Sequence, residues 1–344
     1  MSYAWTFIIA LLVAVVATPL SMRLAQRFGA IDYPGARRVH RKPIPRLGGL
    51  AIYAGFWAAA LLTQTFDQSL YGLFVGSTLI VAVGLWDDTK GIRPLYKFFC
   101  QVFGAGVLPW FGFSMDQFSL PLVGTISGLG SIGLLLTVFW VVGLINTVNL
   151  SDGLDGLAAG ICFLAALLLF WSANRINQFP AAHLTLALAG AALGFLFFNF
   201  HPARVFMGDT GSMFLGYIIG GVSIMGLLKT ATVLGLVFPL LILAMPLSDL
   251  TFTIIRRKLR GGSIAAADRG HLHHRLLDAG LTQRQAVLLL YGLSACFGLA
   301  AVLGATGNWT WSLALLAAGF AFLLTILFRR TALLTAWSRR QGKS

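Results

Sequence analysis

Residues Leu144 to Gly156 read LINTVNLSDGLDG. Asn146, Asn149, Asp152 and Asp155 recur at every third position, with Gly153 and Gly156 beside the acids. Apolar runs flank the stretch, Ile132 to Gly143 before it and Leu157 to Trp171 after it. Polar side chains between two membrane-length runs are expensive unless something uses them. In a helix, a three-residue step falls about 60° short of a full turn. Asn146 and Asn149 would share a face, while Asp155 would point nearly opposite Asn146. The glycines therefore predict a helix that ends near Asp152, where the backbone turns and gathers the four groups. The stretch reads as the rim of a polar cavity at a membrane face.

The rest of the chain supports a membrane setting. Of its 344 residues, 58% are hydrophobic and 10% charged, and the mean hydropathy is +0.83. That composition lies outside the soluble range. Eleven apolar stretches are long enough to cross about 30 Å of hydrocarbon. They are 3–22, 47–65, 69–86, 95–112, 132–150, 153–173, 180–199, 211–228, 232–255, 286–306 and 309–328. The expected fold is an all-α polytopic membrane protein of about eleven spans, ten being the alternative count. It forms one integral membrane domain over 1–344, with a His-containing loop at 257–284 and a basic tail at 329–344. Pro239 and Pro246 should bend the ninth span. The glycine-punctuated connection 113–131 reads as a short hairpin. Cys100, Cys162 and Cys296 fall inside apolar runs with no disulfide or metal spacing, so buried packing explains them.

Charge orients the bundle. The chain has 25 Lys and Arg against 11 acids, all Asp, for a net charge of +14. One set of connections holds 23 of the 25 basic residues; the alternate set holds only Arg175 and Lys229. The positive-inside rule then puts the N-terminus outside and the C-terminus in the cytoplasm. Most acids and five of the six His sort to the cytoplasmic side. The basic residues occupy short connections, which suits anionic lipid headgroups and anionic substrates and argues against nucleic acid.

Four further clusters lie on that side. Arg37 to Gly49 (RRVHRKPIPRLGG) is stiffened by Pro43 and Pro45. It serves either as a positive-inside anchor or, with Arg46, as a phosphate clamp. Asp87 and Asp88 end the third span, and neighbouring carboxylates raise each other's proton affinity, which suits a base. A solvated helix-end pair is the plainer reading. Lys90, Arg93 and Lys97 follow, suited to pairing with carboxylates or phosphates. Phe206 to Ser212 (FMGDTGS) opens the eighth span. There Asp209 would sit at a helix N-terminus with free amides, and Gly208 and Gly211 would let a ligand approach the backbone. Asp209 reads as an N-cap or as a ligand for Mg²⁺, with Mn²⁺ as the alternative ion. His271, His273 and His274, flanked by Arg269 and Arg275, suit a pyrophosphate or nucleotide. Asp, Asn, His and basic residues on one membrane face fit cation-assisted phosphoryl transfer.

Five blocks in this order resemble the polyprenyl-phosphate N-acetylhexosamine-1-phosphate transferases (glycosyltransferase family 4). They are RKPIPRLGG, WDD, NTVNLSDGLDG, FMGDTGS and HLHHR, and the likeness runs over roughly 30–290. The resemblance implies transfer of a sugar 1-phosphate from a UDP-N-acetylhexosamine to polyprenyl phosphate, with release of UMP. This is the first membrane step of cell-envelope glycan synthesis, with the site facing the cytoplasm of a bacterial inner membrane. The resemblance makes Asp209 a Mg²⁺ ligand, Asn149 a metal or pyrophosphate contact, and Asp87 a base or lipid-phosphate residue beside Asp88. It assigns Asn146, Asp152, Asp155, Asn199 and Phe206 to substrate, with Phe206 stacking on uracil. His271, His273 and His274 match its histidine block near the diphosphate and sugar; Arg269 and Arg46 are further candidate phosphate contacts, and Lys97 or Lys90 takes the basic role. The peptidoglycan branch tends toward three consecutive His and an acid. HLHHR, in a chain without Glu, is closer to the branch that uses UDP-N-acetylglucosamine. A homodimer is compatible with the family. The competing class is a transporter or flippase for an anionic lipid or nucleotide sugar, whose polar groups should extend across the bilayer midplane. A metalloprotease of the HExxH type is excluded without Glu.

Overall fold

The first helix, α1 (Tyr3–Phe28), buries only small residues: Thr6, Ala10, Ala14, Thr18, Ser21 and Ala25. Its exposed face carries Trp5, Leu12, Val16 and Leu20. This inverts the soluble pattern. Lipid solvates the large apolar side chains, and small ones let backbones approach. Gly190 and Gly194 of α7 (Phe179–Asn199) meet α1 in this way. A Cβ on Gly190 would lie 2.3 Å from the Phe7 carbonyl, and one on Gly194 would lie 2.6 Å from the Leu11 carbonyl.

The computed structural model describes residues 2–34, 42–120, 124–228, 276–277 and 280–341, with side chains except at 118–125, 226–228 and 326–341. The remaining helices there are α2 (Gly49–Thr63), α3 (Gln68–Lys90), α4 (Pro94–Trp110), α5 (Ser131–Ser151), α6 (Leu157–Arg175), α8 (Gly208–Val222), α9 (Gln283–Ala305) and α10 (Trp309–Gln341). A π-helical turn, Ser223–Leu228, extends α8. A helix therefore covers every expected run except 232–255, which lies outside the described residues together with Pro239 and Pro246. Six of these helices, α1, α3, α5, α6, α7 and α9, are long and apolar enough to cross a bilayer alone. The chain is an all-α polytopic membrane protein. Two short antiparallel ladders add to the helices. Ile31–Asp32 (β1) pairs with Ile44–Pro45 (β2), and Gln117–Leu120 (β3) pairs with Gly124–Ser127 (β4) as the expected hairpin.

α8 is the centre. Every residue of it except Asp209 is buried, and α5, α3 and α2 pack on it. Glycines set these approaches. Gly216 faces the Ile145 Cα of α5, Gly84 of α3 faces the Thr210 Cα, and Gly49 of α2 faces the Gly211 backbone. Exposed aromatic residues lie toward both ends of the helices: Trp5, Tyr71, Trp110 and Trp309 at one, Tyr33, Trp86 and Tyr96 at the other. Such residues favour the membrane interface. The acids of α3, α5 and α8 lie together at the second of these ends, where α3 and α5 finish and α8 begins.

A Cβ on Gly216 would lie 2.6 Å from the Ile145 Cα, whereas Gly143 has nothing within 4 Å. Gly216→Ala should lower the melting temperature in detergent by about 5 °C or more. Gly143→Ala should leave it unchanged or higher. Equal melting of the two variants in a tryptophan-fluorescence scan would contradict this packing.

Candidate active site

The site is built where α3 ends and α8 begins. α3 continues to Lys90, so Asp87 and Asp88 occupy its last turns. The Asp88 side chain has no exposed surface. Its Oδ1 accepts the Asp209 N–H at 2.9 Å. Its Oδ2 accepts the Thr210 N–H at 2.9 Å and the Thr210 hydroxyl at 2.7 Å. Arg46 completes the shell at 3.3 Å from Oδ1. Asp88 therefore caps α8 from another helix, since Met207 at the N-cap position supplies no side-chain bond. Gly208 makes room for this: φ is +67°, and a Cβ would lie 2.4 Å from Asp88 Oδ2 and 2.3 Å from the Arg46 carbonyl.

These contacts correct two expectations. The amides of Asp209 and Thr210 at the start of α8 are not open to a ligand, because Asp88 takes them. Gly208 and Gly211 admit protein, not ligand: Asp88 and the Arg46 backbone at the first, Gly49 at the second. Asp88 thus acts by holding α8, with both oxygens committed.

Asp87 and Asp209 share one ammonium. Lys97, on the first turn of α4, pairs with Asp87 at 3.0 Å and also with Asp209. The second Asp87 oxygen accepts the Ile92 N–H at 2.7 Å. Asn149 Nδ2 donates to Asp209 Oδ1 at 2.7 Å and to the Ser212 hydroxyl at 2.8 Å. α5 ends at Ser151 with Asp152 as its C-cap. Asp152 is of intermediate exposure. Burial, then the charges of Asp209 and Asp88, push its carboxyl up to about 7; Arg46 pulls the other way. Asp87 and Asp209 thus share one Lys97, while Arg46 balances Asp88, and Asp152 feels the charges of Asp209 and Asp88. That excess of negative charge suits a further cation.

The donor set also fits a hard cation. Carboxylate and carboxamide oxygens are what Mg²⁺ takes, usually one or two carboxylates with water and substrate phosphates completing the shell. Among the described residues, no three His, Cys, Asp or Glu side chains converge as a ligand cluster, which disfavours an all-protein cage. Lys97 already neutralises part of the charge of Asp87 and Asp209. The oxygen and nitrogen of the Asn149 carboxamide are assigned by hydrogen bonding, so a half-turn would present oxygen beside Asp209 instead.

A second group lies on the turn after α5. Gly156 takes φ +80° and starts α6, the turn expected from the sequence. Asn199, 1% exposed, accepts the Gly156 N–H at 3.0 Å and donates to the Val205 carbonyl at 2.9 Å. Its carboxamide therefore ties two backbones together. Asp155 Oδ2 meets His201 Nδ1 at 2.7 Å and accepts the Ala203 N–H at 3.1 Å. Phe206 is half-buried, and its backbone bonds Pro45 at 2.8 Å and Gly48 at 3.0 Å. Asn146 lies deeper, donating to Gln101 at 2.8 Å. Arg269, His271, His273 and His274 lie outside the described residues.

Sequence reasoning missed Thr210, Ser212, Gln101 and His201. Gln101 carried a signal, as a polar residue inside an apolar run one turn beyond Lys97. His201 carried another, following Asn199 within FNFHPA.

Residues 70–227 match the family described as glycosyl transferase family 4. A Bacillus subtilis (strain 168) protein called a probable undecaprenyl-phosphate N-acetylglucosaminyl 1-phosphate transferase is 41% identical over 297 residues, covering 86% of this chain and 83% of that one. A Mycolicibacterium smegmatis decaprenyl-phosphate N-acetylglucosaminephosphotransferase is 39% identical, covering 78% of this chain and 73% of that one. The Escherichia coli K12 undecaprenyl-phosphate alpha-N-acetylglucosaminyl 1-phosphate transferase is 30% identical, covering 78% and 74%. With the described residues of four motif blocks gathered around the start of one buried helix and relatives of this likeness along most of its length, the chain belongs to glycosyl transferase family 4.

Proposed function

We propose that this protein transfers N-acetylglucosamine 1-phosphate from a UDP donor to a polyprenyl phosphate such as undecaprenyl phosphate. UMP is released, and cell-envelope glycan synthesis begins at a bacterial inner membrane. The observation that carries the reading is the Asp87–Lys97–Asp209 cluster with Asn149 at one end of the bundle. The sorting of basic residues supports a cytoplasmic location for that end, with the N-terminus outside. The collection of polar groups at one end counts against a transporter, whose groups should reach the midplane.

An acceptor phosphate oxygen attacks the phosphorus next to the sugar, and the bond to the UMP oxygen breaks. The lipid phosphate is largely ionised near neutral pH, so positioning and charge neutralisation matter more than a base. Asp87 fits that expectation, because its two oxygens hold Lys97 and the Ile92 amide. Lys97 is favoured over Lys90 as the basic residue for the phosphates, because it stands between Asp87 and Asp209 whereas Lys90 is exposed. Asp209 and Asn149 would hold Mg²⁺, with Asp152 nearby. The ion, when bound, supplies neutralisation of charge on the diphosphate. Asp88 keeps Asp209 in place through α8. Arg269, His271, His273 and His274 remain proposed diphosphate and sugar contacts, and Phe206 a proposed platform for uracil.

The direct test is purified protein with radiolabelled UDP-N-acetylglucosamine and undecaprenyl phosphate, with and without Mg²⁺. Labelled lipid and equimolar UMP are expected only with the ion. Asp209→Ala should abolish turnover, and Lys97→Ala should reduce kcat about a hundredfold or more, with both variants monodisperse in detergent. Wild-type rates from Asp209→Ala would remove the metal assignment.

The raised Asp152 carboxyl carries a sign that can be checked. A carboxyl that titrates near 7 when folded and near 3.8 otherwise costs stability progressively as pH rises between those values. In EDTA at pH 8, Asp152→Asn should melt above wild type, and the gap should narrow toward pH 5. A variant that melts lower at pH 8 would contradict the upward shift of this carboxyl.

A further inference from the structure

We infer that His201 is a positioning residue for the sugar-nucleotide donor, acting through Asp155; the inference rests on the proposed reading of Asp155 as a donor contact. Asp155 is held on one edge only. Its Oδ2 takes His201 Nδ1 at 2.7 Å and the Ala203 N–H at 3.1 Å. Among the described residues, no hydrogen bond is made to its Oδ1. The Asp155 side chain is 12% exposed, and that of His201 34%. A carboxylate that is nearly buried and fixed through one oxygen, with no hydrogen bond to the other among the described residues, is suited to accept one N–H from a flat ring. The chemistry that would use it is the imide N–H of a pyrimidine base. A ring nitrogen facing a carboxylate must carry a proton, so Nδ1 is the donor whether His201 is neutral or charged.

The second attachment of His201 strengthens the assignment. Its carbonyl accepts the Arg284 Nε–H at 3.0 Å. Arg284 lies in the first turn of α9, whose N-cap Thr282 closes a capping box with Gln285. Tyr291 of the same helix donates to the Gly156 carbonyl, next to Asp155. The Asp155 turn is thereby fixed to α9, the helix that follows the His-containing loop 257–284. Neither Asp155 nor His201 touches the Asp87–Lys97–Asp209 cluster in any hydrogen bond among the described residues, so the pair can affect donor binding without altering the reacting end.

The test is steady-state kinetics on the full chain in detergent, varying UDP-N-acetylglucosamine and undecaprenyl phosphate separately. His201→Ala should raise KM for the UDP donor about tenfold, the loss of one hydrogen bond to a charged group. Its kcat and its KM for the lipid acceptor should stay within about twofold of wild type. His201→Asn should recover most of the donor KM, because its amide nitrogen sits where Nδ1 was. His201→Gln, which mimics Nε2, should not. Adding His201→Ala to Asp155→Asn should raise donor KM no further than Asp155→Asn alone. If Asp155→Asn raises donor KM and His201→Ala does not, the positioning role is overturned while the reading of Asp155 stands. If neither variant changes donor KM, the donor contact itself is wrong and the inference falls with it. If His201→Ala lowers kcat and weakens both substrates together with a fall in melting temperature, and Asn gives no rescue, His201 merely supports the fold.

Discussion

The architecture turns on one carboxylate. Asp88 stands at the end of α3 with no exposed surface and satisfies two backbone amides and a hydroxyl at the start of α8. Buried amides without partners cost about 1–3 kcal/mol each. α8 has no side-chain cap of its own, so the interaction decides where α8 begins and how it is rotated. Asp209, the next residue in the helix, is thereby aimed at Lys97 and Asn149. A carboxylate so deeply placed also needs a counter-charge, and Arg46 from the β2 strand end provides it. One ionic contact thus joins the segment before α2, the end of α3 and the start of α8.

Close helix packing makes that contact feasible. Gly84, Gly49 and Gly208 leave no side chain between α3, α2 and α8, so a short Asp reaches the helix end directly. The same small-residue logic seats α1 on α7. Lipid supplies no hydrophobic drive between helices, so backbone approach and polar bonds must hold them. The polar groups used for chemistry and those used for cohesion therefore coincide at one end of the bundle.

Much of this was legible in the sequence. Apolar runs give the helices, the 144–156 stretch gives the end of α5 near Asp152, and sorting of charge gives the end at which the acids meet. Roles within the motifs were less legible. Asp87 and Asp88 are adjacent letters with opposite fates, one facing Lys97 and one facing the amides of a helix 120 residues away. Only rotation about α3 separates them. The family resemblance made Asn199 a nucleotide contact, yet its carboxamide bonds Gly156 and Val205. The free amides expected at Gly208 were taken by a group from α3, because the pattern of a motif does not say what lies opposite it.

Amide hydrogen exchange across residues 207–212 tests the central role of Asp88 most directly. In wild type these amides should exchange as slowly as the interior of α8, and in Asp88→Ala those of Asp209 and Thr210 should lose protection first. Rapid exchange of the wild-type segment, or protection unchanged in Asp88→Ala, would contradict the account.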